Sequence, residues 1–246
     1  MRTARTELAF ALLAAVASTS RADLISHALV AYGDLGQTVN EQFADVHAAA
    51  MLSYSSPGLF NGAAECAAAF GRLSGEVHLT ATDASFAINR AQAESGFFDM
   101  LTISGSVGPG FIIYDYSIAG SAEGEADAHI FLYHQGDPDE ELAGEVTEDG
   151  VFTSLVHNFT FGQPFRTGAV LSTIGLIGEG ETSETSAHFE AWLSGISVFD
   201  SEMRPLAEFS ISSESGTTYP LPAPSTGMAL AFGGLILRRR RRSAIR

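Results

Sequence analysis

Lysine is absent from this 246-residue chain, and cysteine and tryptophan occur once each. No apolar run approaches the roughly 20 residues that a membrane-spanning helix needs. A single cysteine, Cys66, cannot form an intrachain disulfide, so the fold has to be held by its core. Positive charge is also scarce where it would matter. All 13 basic residues are arginine, and nine of them stand at positions 2, 5, 21, 238–242 and 246. Between Asp23 and Leu237 only Arg72, Arg90, Arg166 and Arg204 face 28 acids, a balance of −24 against −16 for the whole chain. A body that acidic repels phosphate backbones, which argues against nucleic acid as a partner. With 46% hydrophobic and 10% aromatic residues, the composition is that of a globular chain and not of collagen or low-complexity disorder.

The usual signatures of catalysis are missing as well. The sequence contains no His-Glu-x-x-His, no Cys-x-x-Cys, no Gly-x-Ser-x-Gly elbow, no P-loop and no dinucleotide fingerprint. Its histidines, at 27, 47, 78, 129, 134, 157 and 188, are scattered without the spacing of a zinc site. His157 reads as a hydrogen-bonded or edge residue, and Cys66, among small apolar neighbours, as a buried hydrophobe. The acids Asp137, Asp139, Glu140, Glu141, Glu145 and Glu148 form an expected acidic loop. Their oxygens suit calcium, but EF-hand spacing is absent, and a solvated loop is the simpler reading. Asn158-Phe159-Thr160 is a sequon placed inside an expected strand. No carboxylate pair stands out as a glycosidase centre. Trp192 could stack on a sugar, though most aromatics belong to the core.

What the chain does have lies first at its ends. Arg2 and Arg5 precede the apolar run Leu8–Ala17, and Ser20-Arg21-Ala22 supplies small residues at −3 and −1. This is the layout of a secretory signal peptide over residues 1–22, with cleavage between Ala22 and Asp23 by signal peptidase. At the other end, Pro222-Ala223-Pro224 is followed by Ser225-Thr226-Gly227, the uncharged stretch Met228–Leu237, and Arg238, Arg239, Arg240, Arg241 and Arg242. A stiff linker, a membrane-seeking segment and a cationic block come in that order. Ser225–Leu237 makes about 20 Å of helix at ~1.5 Å per residue, short of a ~30 Å hydrocarbon core.

This tail resembles the PEP-CTERM sorting signal of bacterial exported proteins. In that family a Pro-Glu-Pro-like tripeptide precedes a hydrophobic segment and a terminal arginine cluster. Pro222 and Pro224 match its prolines, and Ala223 stands where glutamate is usual. The resemblance covers Leu221 to Arg246 and implies processing by an exosortase-like membrane protease. It also implies at least transient membrane association through the C-terminus and a place at the cell surface or in the exopolysaccharide matrix.

Between the ends, period-2 alternation dominates. Val151, Thr153, Leu155, His157, Phe159 and Phe161 read as one face of a strand, as do Leu101, Ile103 and Val107, and Ala126, Ala128, Ile130 and Leu132. From Ala187 to Leu193 the odd positions are apolar; the phase then flips to Ile196 and Val198, which predicts a bulge at Gly195. Turns are expected at 105–110, 136–139, 162–164 and 178–180. Such short strands, without alternating helices, predict an all-β antiparallel sandwich or jelly roll over residues 23–219, with 220–246 as the tail. Residues 38–54 fit two patterns: a helix capped by Thr38 and Glu41, or strands with apolar positions 44, 46, 48, 50, 52 and 54. The bodies of the resembled proteins look β-rich, with segments similar to Phe97–Ile103 and to the alternation from Ala187 through Val198 to Asp200, which favours strands.

The expectation is therefore an exported, non-enzymatic surface or matrix protein without a cofactor. A carbohydrate-binding module or weak glycan hydrolase is the alternative, and it predicts an exposed row of aromatics or a paired-carboxylate cleft. A calcium-dependent adhesin is the third reading. Fold alone does not separate them.

Overall fold

The computed structural model describes residues 22–32, 37–44, 47–56, 60–81, 89–135, 137–178 and 183–221. Residues 1–21 of the expected signal peptide 1–22, and residues 222–246 of the expected tail 220–246, lie outside the described residues. Fourteen strands make up the elements, and no helix occurs among the described residues. The first five are β1 (Asp23–Tyr32), β2 (Gln37–Ala44), β3 (Ala48–Ser56), β4 (Phe60–Ala69) and β5 (Arg72–Ala81). The long central strands follow: β6 (Asn89–Ser104), β7 (Pro109–Glu123), β8 (Glu125–His134) and β9 (Asp137–Val146). The rest are β10 (Gly150–Thr153), β11 (His157–Thr160), β12 (Pro164–Ile177), β13 (Ser183–Phe199) and β14 (Ser210–Ser213).

These strands form two antiparallel sheets face to face. One runs β2-β1-β6-β12-β8-β9, with β14 on the edge of β6 beyond the end of β1. The other runs β10-β7-β13-β5-β4-β3, with β11 beside β10 on the edge of β7. The all-β sandwich expected from alternation is what forms. Apart from His47, residues 38–54 are strand where they are described, but they belong to two strands on different sheets, and the helix capped at Thr38 does not form. The bulge falls where the phase flips, between Leu193 and Gly195 of β13.

Three expectations need correction. Val107 lies in the turn between β6 and β7 and is 89% exposed. The acidic stretch from Asp137 is not a loop: through Val146 it is strand β9, paired along β8. The run 151–161 is two strands. Val151 and Leu155 are exposed, Phe152 and Ser154 turn inward, and then His157, Phe159 and Phe161 face the core. The cause is Ser154, whose backbone N–H donates to the Tyr114 carbonyl (2.9 Å) while its hydroxyl oxygen accepts the Tyr114 N–H (3.0 Å). A side chain thus replaces a rung of the ladder, and the register shifts by one.

Alternation explains the core. Leu24, Ala28 and Val30 of β1, and Phe97, Leu101 and Ile103 of β6, meet Leu73, Val77 and Leu79 of β5 and Phe189 and Ala191 of β13. Where the layers come closest, small residues are required. A Cβ on Gly75 would stand 2.5 Å from Thr173 Oγ1 in the facing sheet. Gly124, at φ 72°, carries the chain from one sheet to the other in a conformation that side chains avoid. Thr173 is fully buried and its hydroxyl has no hydrogen-bond partner. Thr173→Val keeps the shape and removes an unsatisfied hydroxyl, so it is expected to stabilise the chain by about 1 kcal/mol. A denaturant midpoint unchanged or lowered would refute this.

Candidate functional site

The expected cleavage position sits at a structural boundary. Asp23 opens β1, and its Cα partner is Phe98 on β6. The next residue of β6, Asp99, is fully buried among apolar side chains. It receives the C-terminal segment. Ser213 Oγ and Ser215 Oγ donate to Asp99 Oδ2 at 2.6 Å each, and Tyr219 Oη donates to the same oxygen at 2.7 Å. The N–H groups of Met100 and Ser215 reach Oδ1 at 2.8 and 3.2 Å. Tyr219 also stacks on Phe97, with ring centroids 6.5 Å apart. Burial, then the nearby Asp99 carboxylate, holds the Tyr219 phenol protonated far above its ordinary range. One carboxylate therefore fastens the last described strand and the residues just before Pro222. Asp23 and the Tyr219 hydroxyl thus meet neighbouring residues of one strand, Phe98 and Asp99.

Asp200 follows the end of β13, and its task is local. Its Oδ1 accepts the N–H groups of Glu202 (2.9 Å) and Arg204 (3.0 Å), and Arg204 Nε donates to Oδ2 at 2.7 Å. The Arg204 backbone hydrogen bond, above all, lowers the Asp200 pKa. It is a turn staple.

The outer face of the first sheet is the least conventional surface. The side chains there that point away from the second sheet include a separate apolar cluster of Ile25, Phe98, Tyr133 and Val170, with Phe131 packed on it. Alongside runs a polar row set by register: His27 opposite Glu94, Glu94 opposite Ser172, Ser172 opposite His129. Glu94, 5% exposed, accepts from Ser172 Oγ at 3.2 Å and from Gln92 Nε2, and its second oxygen lies 3.4 Å from His27 Nδ1. Arg90 in turn donates to Gln92. The carboxylate stands between serine and histidine. Glu94 thus ties β1, β6 and β12 together, and on the far side of Ser172 the His129 Nε2 lies 3.3 Å from Asp127 Oδ1. Burial, and then the charge of Glu94, raises the Tyr133 pKa strongly. Near the end of the same face, Arg166 lies over Phe98 with its guanidinium carbon 4.5 Å from the ring centroid.

The other singled-out residues are dispersed. Cys66 is 1% exposed, its sulfur 3.3 Å from the His27 carbonyl oxygen, and burial pushes its thiol up to about 11. His157 is buried on the short edge strand β11, its ring stacked 5.0 Å from that of His134. His134 Nε2 donates to the Asn158 carbonyl at 2.7 Å, which leaves Nδ1 as acceptor for the Tyr114 hydroxyl at 3.4 Å. Asn158 itself is exposed on β11. Glu148 is exposed beyond β9, and the neighbouring Asp149 accepts the Gly120 N–H at 2.8 Å. Among the described residues no group of three or more potential metal ligands comes together.

Trp192, 37% exposed, lies on the outer face of the second sheet, and Tyr54, 39% exposed, lies on edge strand β3 beside Phe60. These two do not form a row. Pro222, Ala223, Pro224 and Arg238 through Arg242 lie outside the described residues, and among those described no helix is long and apolar enough to cross a membrane.

Sequence reading passed over Asp99 and Glu94. The sign of the first was present: an acid inside the apolar run Phe97–Ile103 has to be buried and paired. Compared with family models, with curated proteins and with solved structures, the chain matches none of them.

Proposed function

We propose that this chain is an exported, non-enzymatic protein of the cell surface or extracellular matrix, sorted by its C-terminal signal. The carrying observation is the ordered tail: Pro222-Ala223-Pro224, the apolar stretch Met228–Leu237, and the block Arg238–Arg242. The placing of the body's two ends supports it. Asp23 pairs with Phe98, and the segment running to Tyr219 is fastened to Asp99. A leader and a tail that both seek the membrane would then start near neighbouring residues of one strand. The body would stay on one side of the bilayer while one attachment replaced the other, without turning over. Only Pro220 and Leu221 separate the latched Tyr219 from the proline motif, so the processing enzyme would meet its motif close against a folded domain.

The test is the mass and location of the chain in its own host. The chain is compared with one carrying Arg238→Ala through Arg242→Ala. The expected result is a product cut after Ala22 and near Pro224 and displayed at the surface, with the alanine tail leaving the C-terminus uncut. A chain with an intact tail held in the membrane would overturn the proposal.

A further inference from the structure

Each sheet ends in two outer edges, and an outer strand presents backbone N–H and C=O groups that can pair with another chain. Three of these four edges are guarded. β9 carries Pro138 and the acids Asp137, Asp139, Glu140, Glu141 and Glu145, and its pairing with β8 is irregular at three points. β10 and β11 have four residues each and are parted by Ser154, whose side chain replaces a rung of the ladder. β2 carries Glu41.

β3 has none of these devices. Its residues Ala48–Ser56 include no charge, no proline and no glycine, and they pair with β4 in unbroken register. Among the described strands β3 pairs with β4 alone and ends its sheet. The strand is open to solvent: Ala49, Met51, Ser53, Tyr54 and Ser55 are exposed, Met51 at 64%. At ~3.4 Å per residue it offers an uninterrupted edge of about 30 Å.

Charge decides what that edge can meet. β3 stacks over β2, whereas the acid-rich β9 lies by β10 on the opposite side of the sandwich. Two bodies of −24 repel each other, so they meet at least cost where acids are few. The β3 side is such a place, since β3 bears no charge and its neighbour β4 bears only Glu65. An antiparallel edge is also complementary to itself under a two-fold axis, the N–H groups of one copy meeting the carbonyls of the other.

We propose that β3 is a docking edge for a second copy of this chain, the two β3 strands pairing antiparallel across a two-fold axis and joining two sandwiches through one continuous sheet. Nine residues a side fall short of the roughly 20–30 of a standard interface, so the dimer is weak and reversible. The proposal does not rest on how the tail is processed.

Sedimentation velocity of the chain purified from its host tests it. The expected result is a monomer–dimer equilibrium at about 10–100 μM, tighter in about 0.5 M salt than in about 0.05 M, because salt screens the repulsion between the bodies. Ser53→Glu puts like charges across the seam and is expected to weaken the dimer at least about tenfold, with Tm within about 2 °C of the parent. Ala49→Glu makes the same test if the first variant does not fold. Ser121→Glu adds the same charge at an exposed position of β7, inside the sheet, and should leave the dimer unchanged. A chain still monomeric at about 100 μM, a dimer loosened by salt, or one that resists both β3 variants would each overturn the proposal. Association through the tail would give the last of these.

Discussion

Asp99→Ala is expected to lower stability by about 3–5 kcal/mol, the largest effect of any single substitution considered for this chain. The magnitude is that of breaking a fully desolvated charged network. The carboxylate accepts three hydroxyls and two backbone N–H groups, and four of these five donors come from the C-terminal segment. Removing it leaves Tyr219 with a buried donor and the half-buried Ser213 and Ser215 hydroxyls without this acceptor, and opens a cavity beside Phe97. Hydrogen exchange should locate the damage. Amides of β14 and of residues 214–219 are expected to lose protection ahead of β6 and β12, because β14 has only four residues paired to the edge of β6. Asp99→Asn keeps the volume and some acceptors and should lose less. A midpoint within about 0.5 kcal/mol of the parent would show that the hydroxyl cluster is decorative.

The second large effect is on the thiol. With Cys66 pushed from 9.0 to about 11, its thiolate fraction near pH 8 falls roughly 100-fold, and burial adds a steric barrier. Native Cys66 should therefore react with an aromatic disulfide reagent at least about 100-fold more slowly than in urea. The same shift makes a stability statement. The raised pKa means that the folded state favours the protonated thiol. Its contribution is complete below the unfolded value near 9 and is lost as pH climbs through about 11, to an extent of roughly 2–3 kcal/mol. Tyr133, Tyr219 and Tyr116 are raised by burial in the same sense, so they extend the loss to higher pH. Denaturant midpoints should hold to about pH 9 and then fall, with Cys66→Ala removing the earliest part of the decline. Rapid labelling of the native chain at pH 8, or a midpoint flat to pH 11, would contradict the buried thiol.

Several features were readable because they depend on neighbours in the chain. Alternation along Ala126–Leu132 and Ala187–Val198 gave strands with a definite inner face, and the flip at Gly195 became the bulge. The run 151–161 shows the limit of that reading. Its alternation is regular, yet a single hydroxyl on Ser154 intervenes in the ladder of β7 and moves the inner face by one residue. Nothing within eleven residues of sequence shows that Tyr114 will be the partner.

The sequence by itself determined the strand class, the reliance on a core without disulfides and the acidic body. These follow from composition, from a periodicity of two and from local order. Only the tertiary structure decided which residues share a site. Asp99 and Tyr219 stand 120 positions apart, and Glu94 and Ser172 stand 78 apart. Arg166 reaches Phe98 only because β12 pairs with β6 in one register. The period of a strand fixes which face a side chain takes, but which strand lies opposite, and at which residue, is settled by the packing of the two sheets as a whole.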